Sequence, residues 1–243
     1  GEIKKIHEHI SGCWVNLQSP NEEEINSIVE KFKLDKEMIN QGLDIYEDPR
    51  FETKGKKIYM FLSAPTERVQ HEDLSSFLVI FTKKELFSIS KYPLEIFDKM
   101  IATKKIKDFT SSRNLLRILF YVSKSFENSV HKIMKEVKVN KADINKLRDK
   151  DIAKLINYEN TLNSYITPFG EIIHSYSSIL KTNLISIQEN SEEKLEDWII
   201  ALNETLNLCK STLKTITNMR SYYSTRISND LNKTITLLTI STI

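Results

Sequence analysis

SEEKLEDWIIALNETLNLCKSTLKTITNMRSYYSTRISNDLNKTITLLTISTI, residues 191–243, runs from Ser191 to Ile243 without a glycine or a proline. A stretch that long without a breaker reads as one helix. At about 1.5 Å per residue it would span roughly 80 Å. Its apolar residues are Leu195, Ile199, Leu202, Leu206, Cys209, Leu213 and Ile216, separated by alternating steps of four and three. That is the a/d seam of a heptad pattern. The pattern loosens around Arg220 and continues with Tyr223 and Ile227. A seam this narrow suits packing on like helices or on a helical hairpin of the same chain.

Charge is sorted along the same stretch. Glu192, Glu193, Glu196, Asp197 and Glu204 lie near its start, while Lys210, Lys214, Arg220, Arg226 and Lys233 lie in its second half. This order complements the helix macrodipole. It also places positive charge before an uncharged apolar and hydroxylic run, ITLLTISTI at 235–243. A basic stretch leading into an apolar one is how a flank on the cytosolic side meets a membrane span. Nine residues cannot span a bilayer, so the expectation is that the remainder of a span follows Ile243.

The rest of the chain bounds the function class. Hydrophobic residues make up 40% and charged residues 28% of the 243, a globular composition. The formal net charge is only +2, without the basic surplus of a nucleic-acid binder. Cys13 and Cys209 lie far apart in no ligand spacing and read as two reduced thiols.

The first 110 residues hold all but one of the prolines and mix short strands with short helices. Residues 3–10 alternate weakly. CWVNL at 13–17 is a short strand ending at Ser19 and Pro20. Asn21 or Ser19 can cap a helix to about Phe32, with Ile25, Ile28, Val29 and Phe32 on one face. A second short helix follows over 35–43. Strands are expected at 57–62, 76–82 and 85–90, the last two as a hairpin across Lys83 and Lys84. Pro93 then opens a helix containing Ile96, Phe97, Met100 and Ile101. From Ser111, apolar residues recur at helical spacing as far as Val137. A further helix covers roughly 142–180, with Pro168 as a kink or break.

The residues Ser228 to Asn232 (SNDLN), followed by LLTISTI at 237–243, resemble the junction in CorA-type magnesium channels. There a long stalk helix carries an Asn-rich turn and a Leu-Thr-Ile run into the first transmembrane helix. WVNL at 14–17, the short helix pair, EDPRFE at 47–52, the strand at 58–62 and the hairpin ending at Phe87 are similar, in order, to that family's α/β domain. The resemblance covers nearly the whole chain. The family's Gly-Met-Asn signature is expected beyond residue 243.

The resemblance implies an α+β fold: a three-layer αβα sandwich on a mixed, largely antiparallel sheet, then a helical hairpin and a very long C-terminal stalk helix. The expected divisions are an α/β domain over 1–110, a helical hairpin over 111–190 and the stalk over 191–243. The implied assembly is a homopentamer of an inner-membrane protein, with this region in the cytoplasm. It would be a channel for Mg²⁺, with Co²⁺ or Ni²⁺ as further cargoes, or for Zn²⁺ as in the related ZntB type. Neither an enzyme nor a nucleic-acid partner is expected.

It also implies a Mg²⁺-sensing site between protomers. The stalk carboxylate falls on Asp197. Its partner position holds Gln41, a neutral oxygen and a weaker ligand for a hard ion than a carboxylate. Asp44, one turn on, lies on the same face, and Glu193 and Glu196 add acidic density. At the pore end, Asn232, Ile235, Leu238, Thr239 and Thr242 would face a five-fold axis. Ile235 and Leu238 would form an apolar constriction there.

Other chemistry is thin. His7 and His9 alternate without a third ligand, and HED at 71–73 reads as a loop cluster. There is no phosphate-binding glycine loop, Ser/His/Asp set or Cys/His zinc spacing. From the residues alone, a soluble α/β head with a helical stalk that docks a partner is the competing reading.

Overall fold

The computed structural model describes residues 13–66, 74–103, 111–181 and 189–241. The expected strand at 3–10, His7, His9, the 71–73 cluster and Thr242 lie outside them.

Among the described residues, five strands form one sheet in the order β1-β5-β4-β3-β2. They are β1 (Trp14–Gln18), β2 (Arg50–Lys54), β3 (Lys57–Pro65), β4 (Leu74–Phe81) and β5 (Leu86–Ser90). All neighbours are antiparallel except β1, which pairs parallel to β5 with Trp14 opposite Leu86. Sequence reading locates four of these strands and misses β2. In β2 the apolar Phe51 stands among Arg50, Glu52 and Lys54, so it lacks the apolar signature of a central strand. It is an edge strand, where charge is favoured.

The alternation of side chains about the sheet separates two faces. On one face Tyr59, Phe61, Leu78, Ile80, Phe87 and Ile89 pack with Ile25, Leu34 and Ile39. Those last residues come from α1 (Glu22–Phe32), α2 (Lys36–Gly42) and the junction between them. Asn21 starts α1 with a capping box: its side chain accepts from Glu24 N at 2.8 Å, and Glu24 accepts from Asn21 N at 2.9 Å. Asp35 starts α2 by accepting from Glu37 N and Met38 N. At Gly42, α2 approaches β4 so closely that a Cβ there would sit 2.4 Å from Leu78 Cβ. On the other face, Phe97 of α3 (Glu95–Ala102) meets Trp14 and Phe77 at ring separations of 5.8 and 5.4 Å. The layers are therefore α, β, α.

Three long helices follow: α4 (Ser111–Ala142), α5 (Asp149–Lys181) and α6 (Glu189–Ser241). A 3₁₀ turn at Ile144–Lys146 precedes α5. Asp151 reaches back to the amide of Arg148 at 3.0 Å, the reciprocal half of a capping box. The helix α5 runs unbroken through Pro168, where sequence reading leaves a kink or a break. A proline costs about 3 kcal/mol inside a helix. The buried residues Phe169, Ile172 and Tyr176 directly after it offset that cost.

The chain divides into two compact units. One comprises residues 1–129 and 167–205 and contains the sheet. Within it Phe126 packs on Phe169 at 4.7 Å, and Phe120 on Trp198 at 5.7 Å. Tyr176, fully buried, donates to the Leu119 carbonyl at 2.7 Å and receives the Ser123 hydroxyl at 3.3 Å. The other unit comprises residues 130–166 and 206–243. Within it Cys209 is buried and donates to the Leu162 carbonyl at 3.4 Å. Burial pushes its thiol up to about 11, so it is a packed side chain rather than a nucleophile.

The buried stripe of α6 differs from the expected seam in one respect. Leu195, Leu202, Cys209 and Ile216 are buried, as every second seam position requires. The buried positions that alternate with them are Thr205, Thr212 and, beyond Ile216, Met219, while Ile199, Leu206 and Leu213 are only half-buried. Threonine is legible as polar, which hides this stripe in the sequence. Both hydroxyls are satisfied within the helix, Thr205 on the Ala201 carbonyl and Thr212 on the Leu208 carbonyl, each at 2.8 Å. A threonine bonded in this way leaves no unsatisfied hydroxyl in the packed stripe.

Candidate functional site

The polar site nearest the expected sensor is built on the end of α2 and on β2. Gln41 lies in the last turn of α2 and Asp44 just beyond it, where the Asp44 amide donates to the Gln41 carbonyl at 3.0 Å. Asp44 is exposed, and its Oδ1 accepts from the Tyr46 amide at 3.0 Å. The oxygen of Gln41 is engaged by a cation of the chain itself: Arg50 Nη2 donates to Gln41 Oε1 at 2.8 Å.

Arg50 organises this corner. Its guanidinium lies 3.7 Å from the ring centre of Phe61, its cross-strand partner. It pairs with Glu47 and, at 2.5 Å, with Glu52. Burial alone would lower its pKa, but the hydrogen bonds it donates to Glu52 and Glu47 hold it above the ordinary arginine value. Arg50 and Glu52 share one face of β2 because they are two residues apart on a strand. Sequence reading placed EDPRFE in the domain without giving Arg50 a role. The usable signal is the Glu-x-x-Arg-x-Glu spacing, which carries meaning only once β2 is recognised as a strand.

Glu193, Glu196 and Asp197 lie in the first turns of α6 and are all exposed, with the buried Leu195 between them. They therefore face away from the helix's own packing. Among the described residues, no group of three or more His, Cys, Asp or Glu side chains is placed to hold a metal ion.

At the far end of α6 every residue from 227 to 241 is exposed. Leu231, Ile235, Leu237, Leu238 and Ile240 retain 51–67% of their surface. The hydroxyls here bond back to their own helix, Thr236 to the Asn232 carbonyl and Thr239 to the Ile235 carbonyl, each at 2.9 Å. Just before this end, Arg226 donates to the carbonyls of Asn145 at 2.5 Å and Leu147 at 2.7 Å. Tyr223 donates to Asp149 at 2.5 Å. No described helix is long and apolar enough to cross a membrane.

An α/β/α head combined with a 53-residue helix that ends in exposed leucine and isoleucine defines the class. The sequence profile described as CorA-like Mg²⁺ transporter protein matches residues 11–243, and the chain belongs to that family. It is 23% identical to the magnesium transport protein CorA of Wolinella succinogenes over 261 residues, covering 99% of this chain and 78% of that protein. The complete CorA magnesium transporter of Methanocaldococcus jannaschii superposes with a TM-score of 0.81 at 16% identity, over 93% of this chain and 73% of that one. The ZntB cytoplasmic domain of Vibrio parahaemolyticus superposes with a TM-score of 0.71 at 14% identity, over 89% and 88%. These likenesses establish the fold. The family is one of membrane-borne divalent-cation transporters, not of enzymes, and Mg²⁺ is its cargo.

Proposed function

We propose that this chain is the sensor and stalk region of a CorA-like channel that admits Mg²⁺ and closes in response to Mg²⁺ on the cytoplasmic side. The observation that carries this reading is the end of α6. There, apolar residues that the chain itself leaves exposed occupy the last turns of the helix. In water such a run is unfavourable, by roughly 25 cal/mol for each Å² left uncovered. Like helices from neighbouring copies, and then the bilayer, would cover it. The half-buried stripe of Ile199, Leu206 and Leu213 supplies a second apolar face for the same purpose. A homopentamer of an inner-membrane protein, with the head in the cytoplasm, satisfies both.

Asn232, Ile235, Thr239 and Thr242 follow steps of three, four and three, so in a converging ring they would share one face. Asn and Thr oxygens suit a hard, hydrated ion, while Ile235 and Leu238 would form the apolar constriction. That donor set favours Mg²⁺ over Zn²⁺, which prefers nitrogen and sulfur ligands. Co²⁺, Ni²⁺ and the Zn²⁺ of the ZntB type are the competing cargoes.

The sensing site would be assembled from two chains. Asp197, Glu193 and Glu196 of one would face Asp44 of the next. Gln41 contributes little, because its oxygen already accepts from Arg50. The test is a thermal melt of the chain in millimolar Mg²⁺ and in chelator, paired with light scattering. Mg²⁺ is expected to raise the melting temperature and the mass, and Asp197→Ala to remove most of both effects. Coincident melts at unchanged mass would rule out the sensor. Ion flux through the membrane-reconstituted native gene product, with the four cations in competition, decides the cargo.

A further inference from the structure

A cleft of about 380 Å³ lies between the α1–α2 junction and the tight turn joining β2 to β3. Four lysines line it, Lys33, Lys54, Lys56 and Lys57, against one acid, Asp35. Asp35 is neutralised in place, with Lys54 paired to one carboxylate oxygen while the other caps α2. The ammonium of Lys57 rests on the last carbonyls of α1, those of Phe32 at 3.1 Å and Lys33. The side chains of Lys33 and Lys56 are exposed and make no hydrogen bond or ion pair among the described residues.

The wall of the cleft adds a buried donor. Tyr59 is 1% exposed, and its hydroxyl accepts the Asp35 amide at 3.2 Å, which leaves its own proton available. Burial raises its pKa, so it remains a donor at neutral pH. The backbone also stands clear. Gly55 has a φ of 64°, and no atom lies within 4 Å of where its Cβ would be. Lysine ammonium groups are point-charge binders of phosphate, and several around one space suit an anion that carries charge at several centres.

We propose that this cleft binds an oligophosphate anion of the pyrophosphate or nucleoside-polyphosphate type, held by Lys33, Lys56 and Lys57 with Tyr59 as a neutral donor. The charge of such an anion depends on Mg²⁺, because the metal is held through the phosphate oxygens. The metal-free anion is the more negative form and the better match to the lysines of the cleft. Occupancy would therefore fall as free Mg²⁺ rises. The cleft would thus report free Mg²⁺ through its ligand rather than through a carboxylate. Binding at this cleft does not depend on the carboxylate sensor proposed above, and the two are tested by different residues.

The test is isothermal titration of the whole chain with inorganic pyrophosphate at low ionic strength, in chelator and then in excess Mg²⁺. Saturable binding of one anion per chain is expected, and excess Mg²⁺ should weaken it severalfold. Lys33→Asn with Lys56→Gln should weaken it by about tenfold or more, through loss of two charge-assisted contacts. Asn tolerates the left-handed backbone of Lys33, whose φ is 53°, and both positions are exposed, so the melting temperature should hold. Lys56→Gln alone serves as the milder variant. Absence of saturable binding, or equal binding by the double variant, would overturn the proposal. So would displacement by sulfate at matched ionic strength. Vesicles of phosphatidylcholine doped with a phosphatidylinositol bisphosphate distinguish the source of the phosphate. Cosedimentation with them in the absence of pyrophosphate binding would also overturn the soluble ligand.

Discussion

Every residue of β3 from Ile58 to Ala64 is buried, whereas every residue of α6 from 227 to 241 is exposed. Within the second stretch, ITLLTI at 235–240 is uncharged and rich in apolar residues, as is IYMFLSA at 58–64. The sheet meets its apolar partners within the chain, on both faces. The end of α6 leaves its own on the surface. Apolar content therefore does not distinguish a core from an exposed helix end; the presence of intrachain partners does. A head that buries its own core is expected to be stable alone, and a helix end that does not is expected to gain order from neighbours.

The comparison can be broken most forcefully at the sheet. Phe77 is fully buried and meets Phe97 edge-on. Phe77→Ala should cost about 3–5 kcal/mol through lost burial and the cavity left behind, read as a lower midpoint in urea unfolding. A loss below about 1 kcal/mol would mean that the layer carrying α3 is not a firm part of the core.

A smaller effect sits at the rim of the head. Lys54 holds the Asp35 carboxyl below the usual carboxylate range, against the opposing effect of burial, and the α2 amides act with it. A depressed native pKa contributes stability that is present above the unfolded value, about 4, and is lost as pH falls through the native value. Urea midpoints should therefore fall as the pH drops below the usual carboxylate range, and Asp35→Ala should flatten part of that slope. The same substitution removes a helix cap and should cost about 0.5–2 kcal/mol at neutral pH. An unchanged slope would leave acid sensitivity to other carboxylates.

The smallest change in stability is expected at the end of α6. Ile235→Ser and Leu238→Ser remove exposed side chains and should move the urea midpoint by no more than about 0.5 kcal/mol in equivalent stability. The same variants should reduce any concentration-dependent mass seen by light scattering. A loss of stability as large as that of Phe77→Ala would show that these residues are part of a core, and the contrast would collapse.

Much of the head was legible because its signals are local. The helix cap at Asn21 or Ser19, the apolar run of β4 and the Lys83-Lys84 turn act over a few residues, so the chain states them directly; that Asn21 is the cap, in a capping box with Glu24, came from the structure. β2 was not legible, because its identity depends on an edge position beside β3. The candidate site divides in the same way. Gln41, Asp44 and the α6 carboxylates could be named from spacing and resemblance. The engagement of Gln41 by Arg50 could not, since it joins a helix end to a strand through a side chain nine residues on.

The sequence by itself determined the uninterrupted course of α6, the placement of charge along it and the apolar end of that helix. Each follows from composition along a continuous stretch. Only the tertiary structure decided that β1 lies parallel to β5, that α6 buries Thr205 and Thr212 in place of Ile199 and Leu206, and that Arg50 occupies the oxygen of Gln41. A threonine hydroxyl bonded to its own helix can be buried, and an arginine can be held between glutamates and an aromatic ring. Both outcomes depend on which surfaces meet, and no single stretch of sequence carries that information.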